Sequence, residues 1–454
     1  MRLGELIPGA ATDQIITGFA IDHRKVAPGT IFGAFPGTRF NGEDFIADAI
    51  AAGAIAVVAR PSVKIKGAVH VSDAGPRRAF ARLAARYFAP FPETVVAVTG
   101  TNGKTSTVEL TRQLWRMLGH RAASIGTLGV TTADEQVSTG LTTPDVATFL
   151  ANMAGLRREG ISHAAFEASS HGLAQYRIEG LPVRAAAFTN LSRDHLDYHE
   201  TMEAYFEAKL RLFTEVVDPE GTAVVWADDD YSGRVIAAAE ARGLTCATVG
   251  ERGEMLRLTG RTPGQLGQDL TVEAAGRSHR VNLPLIGAYQ AANALTAAGL
   301  VIATGGDVTD TLQLLSRVQP VRGRLERAAI TRIGAPVYVD YAHTPDALRA
   351  AVEALRPHTH GRLILVFGAG GDRDTGKRPE MGAVAARLAD HVIVTDDNPR
   401  SEQPEAIRRQ ILAAALGAIE IGDRRQAIAA AGGEAGAVDV VLVAGKGHEQ
   451  GQII

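Results

Sequence analysis

A loop with the pattern of a phosphate-binding site occupies residues 100–105, which read GTNGKT. Gly100 and Gly103 permit the tight backbone turn that directs amide groups at phosphate oxygens. Lys104 adds positive charge, and Thr105 adds a hydroxyl group that can bind a metal ion. Because an apolar strand pattern precedes the loop and a helix pattern follows it, the sequence predicts nucleotide binding rather than an ordinary strand-to-helix turn.

A bound nucleotide brings Mg²⁺, so carboxylates are expected where neighbouring strands end. Glu167, in FEASS, is predicted to bind this metal. The alternative is a glutamate that is hydrogen-bonded at the strand end, because an unpaired buried carboxylate is costly. His195, in SRDHLDYH, is a candidate metal ligand, a partner of the neighbouring Asp194 or a histidine of a polar loop. Spacing alone leaves these roles open.

Other polar residues follow apolar runs further along the chain. Asp340 and His343 are candidates for contacting nucleotide. Arg400, in DDNPR, could bind a carboxylate through two parallel hydrogen bonds, although a surface arginine after a turn is equally consistent with the pattern. The glycine-rich run at residues 368–374 contains charged residues where a dinucleotide fingerprint needs small ones, which excludes nicotinamide binding. By its spacing, Lys209 is predicted to be a solvated lysine on an amphipathic helix.

Alternating strand and helix patterns predict an α/β protein of three domains. The first, residues 1–92, is a small α/β domain that ends in a helix over residues 76–88, with an arginine face (Arg78, Arg82, Arg86) turned to solvent. The second, residues 93–320, is a doubly wound sheet, and the third, residues 321–454, is a Rossmann-like unit. A helix is also predicted over residues 106–118. Strands are predicted over residues 54–58, 68–71, 94–98, 164–168, 185–189, 222–226, 337–339, 363–367, 392–395 and 438–443.

Polar clusters at strand ends are typical of ligand sites in open α/β sheets, so a multi-substrate enzyme is expected. The net charge of −3 gives no electrostatic basis for nucleic acid or an anionic membrane as main partner. The single cysteine, Cys246, excludes intrachain disulfides and cysteine-based zinc sites. Because no signal peptide and no apolar run of about twenty residues is found, we expect a cytoplasmic protein without membrane insertion. We also expect a monomer.

Seven ordered motifs resemble those of the Mur ligases of bacterial cell-wall synthesis: TGTNGKT, EASSHGL, NLSRDHLDYH, DYAHTPDAL, GGDRDTGKRP, DDNPR and GKGHE. The resemblance spans essentially the whole chain. It implies an N-terminal domain for the UDP end of the substrate, a central ATPase domain and a C-terminal ligase domain that admits the amino acid. The implied reaction joins meso-diaminopimelate to the γ-carboxylate of UDP-N-acetylmuramoyl-L-alanyl-D-glutamate through an acyl phosphate. The alternatives are the same reaction with L-lysine, a ligase similar to folylpolyglutamate synthase, and a non-catalytic nucleotide-binding protein.

The resemblance also implies roles for individual residues. The implied catalytic residues are Lys104, Glu167, His195 and Lys209. The implied Mg²⁺ ligands are Thr105, Glu167, His195 and Lys209, the last carbamylated by CO₂ so that its cation becomes an anion. The implied ATP contacts are Gly100, Thr101, Asn102, Gly103, Lys104, Thr105, Ser106, Asn293, Arg324, Asp340 and His343. The implied contacts to the UDP-linked substrate are Thr142, Thr143, Ser169, Gln175 and Arg177. The implied amino-acid contacts are Arg373, Asp397, Asn398, Arg400, Gly445 and Glu449.

Arg400 bears on the choice of amino acid. In the family, DNPR accompanies meso-diaminopimelate, whereas enzymes that add lysine generally carry another residue in place of the arginine. Diaminopimelate has a second amino-carboxylate head that lysine lacks, so a bidentate arginine has a partner only in the former. Glu449 suits the far ammonium group. The chain departs from the family pattern at His23, where serine is usual near the uracil, at Gln290, where asparagine is common, and at its end, where a further helical segment usually follows.

Overall fold

The computed structural model describes residues 1–10, 12–37, 40–137, 142–264, 266–372, 374–449 and 451–452. The chain divides into two compact units, one of residues 1–249 and 299–306, the other of residues 250–298 and 307–454. Both contain sheets and helices, which confirms the predicted α/β class, whereas the three domain boundaries stay a prediction. Within the described ranges, no helix combines the length and apolarity needed to cross a membrane.

The N-terminal part of the first unit is a four-stranded parallel sheet in the order β1-β2-β3-β4. Its strands are β1 (Gly18–Ala20), β2 (Thr30–Gly33), β3 (Ala54–Ala59) and β4 (Val69–Ser72). Its helices are α1 (Leu3–Leu6), α2 (Ile46–Ala51) and α3 (Pro76–Phe88). Helix α3 confirms the predicted bounds. Pro76 occupies its first turn, where a missing N–H costs no hydrogen bond.

The prediction that the arginine face of α3 is turned to solvent is wrong for Arg78. Its Nε lies 2.7 Å from Oε1 of Glu179, and Nε of Arg82 lies 3.2 Å from the same oxygen. Arg86 donates a hydrogen bond to the Leu6 carbonyl. Glu179 is only 7% exposed, so its carboxylate needs partners of opposite charge. The helix pattern could not show this, because Glu179 lies about a hundred residues away in sequence.

The packing of α3 against the four-stranded sheet can be tested at Phe80. The residue is fully buried, and its ring centroid lies 5.3 Å from that of Phe19 and 5.7 Å from that of Phe35. Replacement by alanine is expected to lower the free energy of unfolding by about 3–5 kcal/mol, because it leaves a cavity between these rings. Urea denaturation measures the change. The matched control is Phe40→Ala at a side chain that is 74% exposed, where a change below about 0.5 kcal/mol is expected.

The larger sheet of the first unit contains strands in the order β12-β11-β10-β5-β9-β6-β7-β8. All neighbours from β12 to β6 are parallel, and β7 and β8 are added antiparallel. The chain moves from β5 to one side of the sheet and later returns to the other side, as in a doubly wound fold. The strands are β5 (Thr94–Thr99), β6 (Ala122–Gly126), β7 (Gly129–Thr131), β8 (Gln136–Val137), β9 (His163–Glu167), β10 (Val183–Phe188), β11 (Val217–Trp226) and β12 (Thr245–Gly250).

Six helices accompany this sheet, and the carboxyl ends of β10, β5 and β9 lie side by side. A sheet with this change of strand order binds ligands at those ends. The predicted strand before the phosphate loop is confirmed, and the following helix begins at Lys104, two residues earlier than predicted. The helices are α4 (Lys104–Met117), α5 (Val146–Arg158), α6 (Ser170–Ala174), α7 (Leu196–His199), α8 (Met202–Arg211) and α9 (Ser232–Ala241).

The second unit contains an antiparallel sheet of β13 (Leu256–Gly264), β14 (Gly267–Ala274) and β15 (Arg277–Leu283). Helices α10 (Ala288–Ala303), whose residues from 299 onward belong to the first unit, and α11 (Val308–Leu314) follow. A six-stranded sheet then has the order β16-β17-β21-β18-β19-β20, antiparallel only between β16 and β17. Its elements are β16 (Glu326–Ile330), β17 (Pro336–Asp340), α12 (Pro345–Leu355), β18 (Leu363–Phe367), α13 (Lys377–Leu388), β19 (His391–Val394), α14 (Pro404–Leu412), β20 (Ile419–Glu420), α15 (Arg424–Glu434) and β21 (Val440–Ala444).

Strand β18 shows why the apolar runs of this unit are continuous rather than alternating. All five of its residues are buried, with Leu363, Leu365 and Phe367 in one apolar cluster and Ile364 and Val366 in another. A parallel strand covered on both faces has no solvent side. The parallel arrangement places the ends of β17, β18, β19 and β21 at one edge, where the polar motifs of this unit begin.

Candidate active site

The phosphate loop connects β5 to α4 through two glycines with positive φ angles, +148° at Gly100 and +87° at Gly103. A Cβ atom at Gly100 would collide with the hydroxyl group of Thr189, so the close approach of β10 requires glycine there. The loop is also anchored by its backbone. The amide of Thr101 donates to the carbonyl of Asn190 at 2.8 Å, and the amide of Asn102 donates to the Asn190 side chain at 2.9 Å.

Two lysines meet at one carbonyl oxygen of this loop. Nζ of Lys104 donates to the carbonyls of Gly100 and Thr101 at 2.9 and 2.7 Å. Nζ of Lys209 donates to the same Gly100 carbonyl at 2.7 Å and lies 4.4 Å from the ring centroid of Tyr205. The interpretation of Lys209 from spacing, a solvated lysine, is therefore wrong, because the residue is only 1% exposed.

The surroundings of Lys209 favour a neutral amine. Burial, reinforced by the neighbouring charge of Lys104, lowers the pKa of the Lys209 ammonium well below its usual value. Only the neutral amine has the lone pair that an electrophile such as CO₂ requires. The position of Lys209 on α8, beside the phosphate loop, brings this amine to the place where a nucleotide would bind.

Glu167 ends β9, next to the loop after β5. Its carboxylate is 2% exposed, and it accepts hydrogen bonds from the backbone amide of Thr127 at 2.7 Å and from the Thr127 hydroxyl at 3.2 Å. The side chain is thus hydrogen-bonded at the strand end, which agrees with the alternative to metal binding that the sequence left open. Because each carboxylate oxygen accepts a single bond, lone pairs stay available for a metal ion.

His195 precedes α7 with a positive φ angle of +52°. Its Nε2 lies 3.5 Å from Oδ2 of Asp194, and its ring centroid lies 5.0 Å from that of His171. The contact with Asp194 agrees with one of the alternatives from the sequence, and metal binding by His195 stays a prediction. Among the described residues, no group of three histidine, cysteine or acidic side chains is arranged to hold a metal ion.

The donor set around the phosphate loop fits Mg²⁺ held together with nucleotide. The hydroxyl of Thr105 at the start of α4 and the buried carboxylate of Glu167 are the hard oxygen ligands that this ion prefers. Mg²⁺ usually binds one or two protein oxygens, with phosphates and water completing its shell. A preassembled cage of three side chains is therefore not required.

Three of the residues implied for the UDP-linked substrate lie around Glu167. The Thr142 hydroxyl is 3.1 Å from the Thr127 hydroxyl. The Thr143 hydroxyl donates to the Glu167 carbonyl at 2.8 Å and accepts from the Ser169 amide at 3.2 Å. One hydrogen-bond network therefore joins these positions to the proposed metal ligand.

The other two residues implied for this substrate extend the same network. Arg177 donates to the Thr143 carbonyl at 2.6 Å and to Oε1 of Gln175 at 2.8 Å. Gln175 in turn contacts the Tyr198 hydroxyl at 3.1 Å. All five residues are thus brought together within the first unit, although they come from two separate stretches of sequence.

Arg77, which the sequence pattern of α3 did not single out, lies close to this network. Its guanidinium donates to the Pro36 carbonyl at 2.7 Å and lies 4.7 Å from the ring centroid of Phe35. Burial lowers the pKa of Arg77, and the positive charge of Arg177 acts in the same direction. The pattern of α3 gave no signal for this residue, because its neighbours in space are defined by the fold.

In the second unit, Asp340 ends β17 and fixes two loops. Its carboxylate accepts from the amide of Leu325 at 2.7 Å and from the amide of Ala342 at 2.9 Å. Burial raises the pKa of Asp340. The guanidinium of Arg324 lies 5.1 Å from the ring centroid of Tyr341, so the two stretches that contain implied ATP contacts are adjacent.

Asn293 and His343 complete the implied ATP contacts of this unit. Nδ2 of Asn293 donates to Oε1 of Gln290 at 3.1 Å, and Nε2 of Gln290 donates to the Arg324 carbonyl at 2.9 Å. Gln290, where the family commonly has asparagine, therefore connects α10 to the loop that contains Arg324. Nδ1 of His343 lies 2.8 Å from the Tyr341 carbonyl.

The implied amino-acid contacts that the structure describes follow β19 and β21. Asn398 donates to Oε2 of Glu449 at 3.1 Å. A Cβ atom at Gly445, whose φ angle is +112°, would come within 2.9 Å of the Asp397 carboxylate, so a larger residue would crowd this acid. Arg373 lies outside the described residues, and its role stays a prediction.

Arg400 lies in the loop after β19, and both its backbone conformation and its side chain are fixed. The residue has a φ angle of +53°, and its Nη1 donates to the Gly371 carbonyl at 2.6 Å. The loops on either side are braced by the fully buried Arg378, which donates to both carboxylate oxygens of Glu402 at 2.7 and 2.8 Å. This ion pair and the Asp372 amide lower the pKa of Glu402 to about 2.

Comparison with known proteins shows the family of the chain. Family models match residues 15–88 (Mur ligase family, catalytic domain), 98–301 (Mur ligase middle domain) and 323–447 (Mur ligase, glutamate ligase domain). A curated relative from Zymomonas mobilis subsp. mobilis is 62% identical over 442 residues, which cover 97% of this chain and 91% of the relative. The chain belongs to the Mur ligase family.

Two curated relatives of this Mur ligase and one solved structure share a name. The Zymomonas protein is a UDP-N-acetylmuramoyl-L-alanyl-D-glutamate--2,6-diaminopimelate ligase. A protein with the same name from Bradyrhizobium diazoefficiens is 53% identical, with 100% of this chain and 96% of the relative covered. A solved structure of a ligase of that name has a TM-score of 0.76 and 32% sequence identity, covering 100% of this chain and 95% of that one. The Mur ligase fold therefore extends over the whole chain.

Proposed function

We propose that this Mur ligase joins meso-diaminopimelate to the γ-carboxylate of UDP-N-acetylmuramoyl-L-alanyl-D-glutamate, with conversion of ATP to ADP and phosphate, in peptidoglycan precursor synthesis. The observation that carries the proposal is the pair of lysines at the Gly100 carbonyl, next to the buried carboxylate of Glu167. This arrangement suits phosphoryl transfer, which needs positioned charge rather than a side-chain nucleophile. The names of the relatives supply the substrates.

The first chemical step would activate the carboxylate. A γ-carboxylate oxygen attacks the γ-phosphorus of ATP, the bond to the bridging oxygen breaks, and ADP leaves with the bonding electron pair. The product is an acyl phosphate. Lys104 and the amide groups of the phosphate loop stabilise the negative charge on the transferred group.

The second step would form the amide bond. The amine at the L-centre of diaminopimelate attacks the acyl carbon, a tetrahedral intermediate forms, and phosphate leaves with the electron pair of the broken C–O bond. The attacking nitrogen loses its proton. Binding all substrates in fixed positions makes these encounters effectively intramolecular, and exclusion of water prevents hydrolysis of the acyl phosphate.

Bound Mg²⁺ ions would neutralise phosphate charge, with Thr105, Glu167 and His195 as proposed protein ligands and carbamylated Lys209 as the support for a second ion. The lowered pKa of Lys209, caused by burial and by the charge of Lys104, favours the neutral amine and supports the carbamylation. Its nitrogen attacks CO₂, a C–N bond forms, and one proton is released, which leaves a carbamate anion. An anion at this buried position would offset the positive charge of Lys104 and the metal, which an ammonium could not do.

Substrate placement follows the proposed domains. Residues 1–92 would bind the uridine end, and residues 93–320 would bind ATP and, through Thr142, Thr143, Ser169, Gln175 and Arg177, the UDP-muramoyl dipeptide. Residues 321–454 would bind diaminopimelate through Arg373, Asp397, Asn398, Arg400, Gly445 and Glu449. Asn293, Arg324, Asp340 and His343 would contact ATP. We also propose that the protein acts as a cytoplasmic monomer.

Replacement of Arg400 by methionine is expected to lower kcat/KM for meso-diaminopimelate by about a hundredfold, chiefly through KM. The physical reason is the loss of two charge-assisted hydrogen bonds to the distal carboxylate, which would leave that carboxylate unpaired. Steady-state kinetics with varied amino acid measures the effect. Arg409→Met, at an exposed position on α14, is the matched control, and equal losses in both variants would contradict the proposed role.

The acyl phosphate is tested with dipeptide substrate labelled with ¹⁸O in the γ-carboxylate. The proposal expects one ¹⁸O atom in the released phosphate, because the bond that breaks in the second step joins the carboxyl carbon to a former carboxylate oxygen. Unlabelled phosphate together with amide product would contradict this route. Turnover with a pterin substrate would favour the folylpolyglutamate-type alternative, and normal ATP binding without any turnover would favour a non-catalytic protein.

A further inference from the structure

Lys446 lies among the residues proposed to contact the amino acid, but it has no role in the proposed function. It follows Gly445 after β21, and its side chain is only 12% exposed. Its Nζ donates to Oδ1 of Asn398 at 3.0 Å and to Oε2 of Glu449 at 3.1 Å, and it lies 3.7 Å from Oδ1 of Asp397. An ammonium group of the protein itself therefore contacts Glu449, the residue that suits the far ammonium group of the substrate.

A second cation lies on the other side of these acids. The guanidinium of Arg424 donates to the Ala444 carbonyl at 2.8 Å and to the Asp396 carbonyl at 3.2 Å. Its charge interacts with the carboxylates of Asp397 and Glu449, while burial lowers its pKa. Both acids thus have cationic partners in Lys446 and Arg424, and Arg400 follows Asn398 by two residues in the same loop.

We propose that Lys446 is a specificity-determining residue that rejects amino acids with a lone distal ammonium group. This inference rests on the proposed function and deepens it. The distal end of L-lysine is a cation. It would approach Asp397 and Glu449, whose carboxylates already have the cationic partners Lys446 and Arg424. The distal end of meso-diaminopimelate is an amino-carboxylate with no net charge, so its carboxylate can pair with Arg400 while its ammonium shares Glu449 with Lys446.

A purely structural role makes a different prediction. If the contacts of Lys446 only hold the loop after β21 against Asn398, removal of its charge would reduce the use of every amino acid to the same extent. A specificity role changes the ratio between two amino acids. The ratio of kcat/KM for meso-diaminopimelate to kcat/KM for L-lysine therefore separates the two roles.

The experiment uses the full chain with Lys446→Met, Lys446→Gln and Lys446→Arg, and with Arg425→Met as a control that removes one exposed positive charge from α15. In the methionine and glutamine variants, the ratio is expected to fall at least about tenfold, because kcat/KM for L-lysine rises when the repelling charge is removed. Lys446→Arg is expected to restore most of the preference. KM for ATP and the ratio in Arg425→Met are expected to stay at their wild-type values.

Three results would overturn the inference. An unchanged ratio in both uncharged variants, with equal losses for the two amino acids, would show a structural role. A wild-type enzyme that prefers L-lysine would show that no such rejection exists. Absence of turnover by the wild type with either amino acid would overturn the proposed function together with the inference. If the wild type prefers diaminopimelate and the variants keep the same ratio, only the inference fails. If Lys446→Met does not fold, the glutamine variant supplies the same comparison.

Discussion

Replacement of Lys209 by methionine is expected to lower kcat by about a thousandfold, with the protein still folded. The loss is expected because methionine cannot form a carbamate, and the proposed reaction then lacks an anion among the cations of the phosphate site. Phosphate release under saturating substrates measures the change. The melting temperature should stay the same or rise, because an apolar side chain of similar volume replaces a buried amine at Lys209, which is 1% exposed.

Bicarbonate dependence and chemical rescue separate this role from simple packing. Wild-type activity should fall when CO₂ and bicarbonate are removed, and a short carboxylate such as acetate should partly restore activity to Lys209→Ala. Because the pKa of Lys209 lies well below its usual value, its amine is neutral at lower pH than that of a solvated lysine. The carbamylated fraction should therefore rise with pH, since carbamate formation releases a proton. Full activity of the methionine variant would contradict the account.

Replacement of Lys104 by methionine is expected to lower kcat at least about a thousandfold, because phosphoryl transfer depends on positive charge at the transferred group. In the structure, the Lys104 ammonium donates to two loop carbonyls, so it also helps to shape the loop. Single-turnover phosphate release measures the chemical step, and nucleotide titration measures binding. A variant that binds ATP with wild-type affinity and retains its rate of phosphoryl transfer would exclude the proposed role.

Arg116→Met is a suitable control for Lys104→Met. Arg116 lies on the same helix, α4, but is exposed, so its replacement removes one positive charge without touching the loop. Its kinetic constants should stay close to wild type. Lys104→Arg adds a second comparison, because it keeps the charge but changes the geometry of the donors, and an intermediate rate is expected.

Local sequence patterns were sufficient for buried parallel strands such as β18 and for the phosphate loop, but they did not predict strands such as β1, β2 and β13. A continuous apolar run such as that of β18 defines a strand buried on both faces, and its predicted bounds, 363–367, agree with the structure. Gly100 and Gly103 have the positive φ angles that their place in the loop suggests. These features depend on neighbours in sequence, which is why the sequence alone could predict them.

The failures concern contacts between distant segments. Spacing on α8 placed Lys209 in solvent, whereas the phosphate loop and Tyr205 bury it. The pattern of α3 likewise placed Arg78 in solvent, whereas Glu179 pairs with it. Only the resemblance to the family suggested a role for Lys209. Arg77 had no local signal, and the GKGHE motif gave Lys446 no role, because the significance of both residues lies in charges that the fold brings next to them.

The most direct test of the proposed ligase reaction is phosphate release from ATP in the presence of UDP-N-acetylmuramoyl-L-alanyl-D-glutamate and bicarbonate. Parallel reactions contain meso-diaminopimelate, L-lysine or no amino acid, and mass spectrometry identifies the product. The account predicts rapid release with meso-diaminopimelate, a product that contains the added amino acid, and little release in the other two reactions. Preference for L-lysine, or no release with diaminopimelate, would contradict it.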